Sequence, residues 1–244
     1  MSPNLPHRSF PPSATHSKPG VSGLSGGQLN EIHAGMEDWA VAMAFALTVT
    51  AVRNGAPLVL VRSPRRAVLP LRPYGEGLVA LGIDPARLLI IETRDDLALL
   101  RAGLEAARCP GLSALVLETW GKLPAYDLTA SRRLVLAAER AGIPVIVLRL
   151  EASPRASAAH SRWLIRSIPS TALAAKAPGP PAIMAELLRR RGGTAGLISH
   201  LEWNDEDGAF RERAAPAGDD TAPLSGDVVS LAGQRKGTRA NRAA

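Results

Sequence analysis

Glu118 closes an apolar run, Ser113-Ala-Leu-Val-Leu-Glu-Thr119. The run predicts a buried strand with one acid at its end. In a nucleotide-hydrolysing α/β protein such a carboxylate helps to hold a magnesium ion beside a phosphate-binding loop. That loop needs glycines, so that backbone N–H groups can wrap the phosphates. It also needs a Lys for charge and a Ser or Thr for the metal, at the start of a helix. The place for it lies between a strand predicted at Leu29–Ala34 and a helix predicted at Glu37–Arg53. It reads Ala34-Gly-Met-Glu-Asp-Trp-Ala40, and no Lys or Arg occurs from Asn30 to Val52. Only Gly35 fits. Glu37 and Asp38 stand at the helix N-terminus, where they would cap the helix themselves and repel a phosphate. Gly26-Gly27 precedes the strand, on the wrong side of it. The sequence therefore reads as a degenerate nucleotide site that takes no cofactor. Glu118 is either a vestigial metal acid or a strand-end carboxylate paired with a neighbouring Arg.

Other catalytic templates are missing. There is no Gly-x-Ser-x-Gly elbow and no His-Glu-x-x-His, and His7, His16, His33, His160 and His200 lack metal-ligand spacing. No metal site is expected. Asp95-Asp96 opens a predicted helix and reads as a cap rather than as a general acid and base. The remaining chemistry is basic. Arg62, Arg65 and Arg66 follow a strand, at the carboxyl edge where α/β proteins bind ligands. Arg132 and Arg133 lie on a helix, and Arg189, Arg190 and Arg191 end a strand at a hairpin tip. All eight are candidates for contact with nucleic acid or a partner protein. None is interleaved with aromatics for stacking bases, so a protein contact or a solvated face competes with phosphate contact in each case.

The elements that would position these residues alternate. Leu29–Ala34 reads as a short strand-like piece, and apolar runs at Leu58–Val61, Leu88–Ile91, Ser113–Glu118 and Pro144–Arg149 predict strands buried on both faces. Between them come helices at Glu37–Arg53 (closed by Asn54-Gly55), Tyr74–Leu81, Asp95–Ala107 and Leu128–Ala141 (stopped by Gly142). In the third of these, Leu97, Leu100, Leu104 and Ala107 are expected on one side. This order implies a mainly parallel sheet flanked by helices. The pattern then changes. Ser161–Ile168, Ile183–Arg190 and Leu197–Trp203 read as strands without helices between them, the last two joined through Gly192-Gly-Thr-Ala-Gly196 into an antiparallel hairpin. Ala172–Pro181 reads as an exposed loop.

Residues 1–26 are rich in Pro, Ser and Gly without apolar periodicity and read as a flexible leader. Residues 27–204 form the α/β domain. Residues 205–244 read as a disordered tail, broken by the short apolar patch Asp227-Val-Val-Ser-Leu231, a candidate linear motif for a partner. The net charge is +7. The folded segment 27–204 carries +6 of it, from 21 basic against 15 acidic residues. The excess favours acidic partners without deciding the fold. One cysteine, Cys109, excludes a disulfide framework and reads as a small buried hydrophobe. No apolar run reaches the ~20 residues that span a bilayer, and no signal-like segment opens the chain. No membrane contact and a cytoplasmic location are expected, with association with the nucleoid left open.

The order of these pieces resembles the RecA recombinase core. Tyr74-Gly-Glu-Gly-Leu-Val-Ala-Leu-Gly-Ile-Asp-Pro-Ala-Arg-Leu-Leu89 is followed by an acid-rich helix and then Leu115-Val-Leu-Glu118. A narrower resemblance rests on Asp127-Leu-Thr-Ala-Ser-Arg-Arg-Leu-Val-Leu-Ala-Ala-Glu-Arg-Ala-Gly-Ile143, Ser161-Arg-Trp163, Glu186-Leu-Leu-Arg-Arg-Arg-Gly-Gly193 and Leu201-Glu-Trp203. These look like the ImuA group of damage-inducible mutagenesis proteins, which are RecA-like and related to the SulA division inhibitors. The likeness spans about residues 27–204. It implies a RecA-like fold and an accessory role in SOS mutagenesis and translesion DNA synthesis. The implied partners are an ImuB-like protein and an error-prone DnaE-type polymerase, with RecA and DNA as further candidate contacts. The chain departs from RecA where ATP would bind, and Arg62-Ser63 stands where RecA has an acid after its second strand. Two other readings stay open: a SulA-like inhibitor that binds FtsZ, and a residual RecA-like ATPase.

Overall fold

The computed structural model describes residues 24, 26–49, 55–63, 72–206 and 208–213. Among the described residues the eight predicted strands form, together with a ninth, one sheet. They are β1 (Leu29–Ala34), β2 (Leu58–Arg62), β3 (Leu88–Glu92), β4 (Ala114–Trp120), β5 (Val145–Leu150), β6 (Ser161–Ile168), β7 (Ala182–Arg190), β8 (Leu197–Asn204) and β9 (Ala209–Glu212). Across the sheet the order is β3-β2-β4-β5-β1-β6-β7-β8-β9. From β3 to β6 every neighbouring pair is parallel, and from β6 to β9 every pair is antiparallel. Parallel neighbours cannot be joined by tight turns, so the chain crosses over through helices. These are α1 (Trp39–Thr48), α2 (Gly75–Ala80), α3 (Asp96–Ala107) and α4 (Leu128–Ala141).

Strand side chains alternate between faces, so the sheet has two cores. On one face α1 packs over Ile32, Leu60, Val116, Ile146 and Leu148 and reaches Trp163 and Ile165 of β6. The helix is buried nearly all round, which explains its lack of a polar stripe. On the other face α3 and α4 pack over Val59, Val61, Leu115, Leu117, Val145 and Val147. Gly103 brings α3 close to β4, for a Cβ there would lie 2.5 Å from Leu117 Cδ2. Asp95 caps α3 by accepting from Ala98 N–H at 2.7 Å, and Asp127 caps α4 by accepting from Ala130 N–H at 2.7 Å.

Several expectations change. The β1, β2, β4 and β5 strands are buried on both faces, but β3 is an edge strand, with Leu89, Ile90 and Ile91 exposed. On α3 the sheet-facing set is Leu99, Leu100, Gly103 and Ala107, and Leu97 points outward. Cys109 is exposed rather than buried, because it lies in the turn beyond the last packed residue of α3. β4 runs two residues past Glu118, so that acid sits within the strand and not at its end. The loop expected at 172–181 contains a short 3-10 turn, Ala174–Lys176.

The sheet also continues beyond residue 204, where the sequence suggests that the domain ends. β9 pairs with β8, and Phe210 anchors it against Phe45 and Trp203 at ring-centroid distances of 6.0 and 5.3 Å. A single partly buried aromatic holds this strand, too little periodicity to stand out in a polar stretch. Residues 1–23 and 214–244, which hold most of the expected leader and tail, lie outside the described residues, as do Asn54 and the end of the helix expected at Glu37–Arg53. Among the described residues no helix is long and apolar enough to cross a membrane.

Candidate functional site

Two polar clusters are buried near the carboxyl ends of the parallel strands, one on each face. The first gathers around Glu118. The parallel register sets Arg62 of β2 directly beside it. Arg62 Nε approaches Glu118 Oε2 to 3.0 Å, and Arg62 NH2 donates to Oε1 at 3.2 Å. The Nε approach lacks hydrogen-bond alignment and is an ionic contact. Two indoles complete the cluster: Trp39 Nε1 donates to Glu118 Oε1 at 3.1 Å and Trp120 Nε1 donates to the same atom at 2.9 Å. Arg62 and Glu118 are 3% and 1% exposed. A buried carboxylate needs such partners, because leaving water costs several kcal/mol for an ion without them.

The turn between β1 and α1 is closed by protein groups of its own. Met36 N–H donates to Glu151 Oε1 at 2.6 Å. Glu151 follows β5 with φ of 52°, one of two described non-glycine residues at positive φ. Asp38 occupies the N-cap position of α1 but makes no capping bond. Its Oδ1 instead accepts from Ser167 N–H and Ser167 Oγ–H, both at 2.7 Å, and so ties α1 to β6. The helix-capping role expected of Asp38 is therefore replaced by a tertiary one.

The second cluster lies under the α4 face. Arg162 Nε donates to Glu31 Oε2 at 2.7 Å, and Tyr126 Oη donates to Glu31 Oε1 at 2.8 Å. Arg162 also bonds the Arg155 carbonyl and Ser157 Oγ. His33 shares Nδ1 with the Ala152 carbonyl at 2.9 Å and sets Nε2 3.8 Å from Glu31 Oε2, too long for a hydrogen bond. The Arg149 guanidinium carbon lies 5.3 Å from the Tyr126 ring centroid, a cation–π contact. Burial pushes the Glu31 carboxyl up, but polar contacts from His33 and Ser157 and the Arg162 charge outweigh it and bring it down to about 2. Burial raises Tyr126 well above its ordinary value, with the Glu31 charge acting the same way. Tyr126 thus stays a neutral donor.

The basic candidates are not brought together. Arg62 is removed from the surface by Glu118. Its burial corrects the expectation of a nucleic-acid or partner contact, since on β2 it falls on the same face as Leu58 and Leu60, which pack in the α1 core. Arg65 and Arg66 lie outside the described residues. Arg132 and Arg133 are exposed on α4. Arg189 is half-buried and donates to the Ser157 carbonyl at 3.1 Å, whereas Arg190 and Arg191 are exposed where β7 ends. Burial lowers the His160 imidazole, and the charges of Arg190 and Arg191 lower it further, so the hairpin tip carries a positive field. Sequence reading missed Trp39, Trp120, Glu151 and the whole Glu31 cluster. The polar residues within β1 (Asn30, Glu31, His33) were the available signal.

No family model matches the chain. Two curated relatives do. Protein ImuA of Caulobacter vibrioides, from strains NA1000 / CB15N and ATCC 19089 / CIP 103742 / CB 15, is 36% identical over 183 residues, covering 67% of this chain and 69% of the relative. The chain belongs to the ImuA family. Membership makes it an accessory protein of SOS mutagenesis in the response to DNA damage. Among solved structures, the RadB recombinase superposes with a TM-score of 0.53 at 14% identity, over 78% of this chain and 93% of its own. That likeness shows the fold: an α/β, RecA-like sheet with flanking helices and antiparallel C-terminal strands. SulA from Pseudomonas aeruginosa covers 50% of this chain and 97% of its own at 21% identity, with a TM-score of 0.39, too low to carry an argument.

Proposed function

We propose that this ImuA-family chain serves translesion DNA synthesis through its surfaces, as a protein that engages an ImuB-like partner and a DnaE-type polymerase and does not hydrolyse nucleotide. The observation that carries this reading is the occupancy of Glu118. A magnesium-binding acid must offer free oxygen lone pairs to the metal or its waters. Here Oε1 accepts three N–H groups, and the Arg62 charge stands 3.0 Å from Oε2. A divalent cation would meet a guanidinium already in its place. At the neighbouring turn, the Glu151 carboxylate takes the Met36 N–H that a phosphate oxygen would use. The residues present do not fit Mg-nucleotide. A cytoplasmic protein working at or near the nucleoid goes with this role, and RecA and DNA are further contacts it could make.

Two measurements test the reading. Affinity capture from DNA-damaged cells is expected to recover polymerase subunits; recovery of FtsZ without them would replace it with division inhibition. Titration with a fluorescent ATP analogue and magnesium is expected to show no saturable binding. Saturable binding, with hydrolysis that disappears in Glu118→Ala, would establish a residual ATPase instead.

A further inference from the structure

The α3 and α4 helices lie side by side on the sheet and leave a groove of about 290 Å³ between them. Leu104, Leu136 and Ala141 give it an apolar lining, and Arg108, Arg133 and Arg140 stand around it. On α4 the residues Leu128, Arg132, Leu136 and Arg140 recur at every fourth position, so they form one ridge beside the groove. All four are exposed, Leu136 by 52%. Leucines and guanidiniums thus alternate along the ridge, and Arg133 adds a cation on the groove side. Arg132, Arg133 and Arg140 have no ion-pair partner among the described residues, whereas Arg108 is neutralised by Glu105 at 2.7 Å. Glu139 is the one acid of α4.

Helix electrostatics explain only part of this charge. A cation at the end of a helix answers its dipole, which accounts for Arg140 in the last turn of α4 and for Arg108 at the C-cap of α3. Arg132 and Arg133 stand in the second turn of α4, where that reason fails. An exposed leucine alone carries no message either. Two of them in line with unpaired cations describe a surface for a ligand that is apolar and acidic together. Nucleic acid would answer the guanidiniums with phosphates but leave the leucines uncovered, and neither helix holds an aromatic on which a base could stack. A helix whose aliphatic stripe is flanked by carboxylates answers both. We infer that the α3/α4 face docks an acidic amphipathic helix of a partner protein, which seats an aliphatic side chain against Leu104 and Leu136 and sets carboxylates on Arg133 and Arg140. The face offers this chemistry whether or not the chain serves translesion synthesis.

The probe is a fluorescein-labelled synthetic peptide of about 18 residues, long enough to hold a helix. Leucines form its one apolar stripe and glutamates flank them. Its anisotropy is followed as the full chain is added. Saturable binding is expected, and a peptide of the same composition in scrambled order should bind at least roughly tenfold more weakly. The double reversal Arg133→Glu with Arg140→Glu should weaken binding roughly tenfold, as the loss of two exposed pairs and their replacement by repulsion predicts. A peptide with lysine in place of glutamate should prefer that variant to the parent, which separates a lost contact from a lost fold. Leu136→Ala should weaken binding of the acidic peptide about three- to tenfold. Bound peptide should also slow alkylation of Cys109, the chain's one cysteine, which is exposed between the groove residues Arg108 and Pro110. No saturable binding, equal binding of the scrambled peptide, indifference to the reversals or unchanged Cys109 reactivity would each overturn the inference. So would a DNA duplex that displaces the peptide and binds the Leu136→Ala variant as tightly as the parent, for the face would then belong to nucleic acid.

Discussion

Arg62 and Glu118 stand side by side on neighbouring parallel strands and close a buried ion pair at 3.0 Å. The register of β2 against β4 puts the basic residue where the acid needs it. Removing one partner of such a pair strands the other in the core. We expect Arg62→Met to cost about 3–5 kcal/mol. Glu118→Gln added to Arg62→Met should recover much of that loss. It removes the unpaired charge and keeps an amide oxygen for the N–H groups of Trp39 and Trp120. Urea midpoints of the two variants decide the matter. Equal instability would mean that Glu118 does not depend on Arg62.

The Glu31 cluster predicts an acid-sensitive contribution. In the fold this carboxyl titrates at about 2, against 4.5 for the free group, because its polar contacts and the Arg162 charge outweigh burial. A depressed folded value means that the unfolded chain takes up the proton more readily. The contribution is therefore fully present above about pH 4.5 and is lost as the pH falls through about 2. At neutral pH it is on the order of 3 kcal/mol, and less than half remains near pH 3. Glu31→Gln should thus be clearly less stable than the parent at pH 7, with the gap narrowing on acidification. A gap that stays constant between pH 7 and pH 3 would contradict this assignment.

Fold and site were legible to different degrees, for a physical reason. Buried strands and amphipathic helices follow a period, and α4 and β6 fall on the expected residues, Leu128–Ala141 and Ser161–Ile168. That Ala34–Ala40 carries no Lys for a phosphate loop is read directly from residue types at one place. What surrounds that turn in the fold is not. Trp39 is adjacent in sequence to that turn, but Arg62, Trp120 and Glu151 reach the same region only through the strand order β2-β4-β5-β1. Arg62 shows the difficulty. By its place in sequence it belongs to a basic run, and only the β2–β4 register reveals that it is buried. β9 escaped notice because one aromatic, Phe210, and not a pattern, holds it.

Glu151 joins two effects of opposite sign. Its carboxylate accepts the Met36 N–H, and its backbone sits at φ of 52°, where a side chain costs energy. Glu151→Ala loses the hydrogen bond and keeps the backbone cost, so a loss of about 1–2 kcal/mol is expected. Glu151→Gly loses the same bond but relieves the backbone, so it should be less destabilised than the Ala variant. Thermal unfolding of the pair separates the two effects. An Ala variant as stable as the parent would show that the β1–α1 turn does not need its internal anion.

The last prediction concerns DNA, the contact for which the hairpin tip is the best-placed candidate. Arg190 and Arg191 are exposed there, whereas Arg189 is engaged by the Ser157 carbonyl. If the two exposed arginines meet phosphates, replacing both with Ala lowers affinity for DNA. It also reduces the slope of log K against log salt by about 1.4–1.8, one counterion-release increment for each lost contact. Arg189→Ala should instead reduce stability and leave that slope nearly unchanged. His160 provides a second readout. Burial holds its imidazole down, and the Arg190 and Arg191 charges add to that, so removing both arginines should let it titrate closer to its ordinary range. A phosphate bound at the tip should move it the same way in the unaltered protein. Nuclear magnetic resonance of the His160 ring, with and without DNA, measures both shifts. An unchanged salt slope together with a His160 that ignores DNA would assign the two arginines to solvent or to a protein partner.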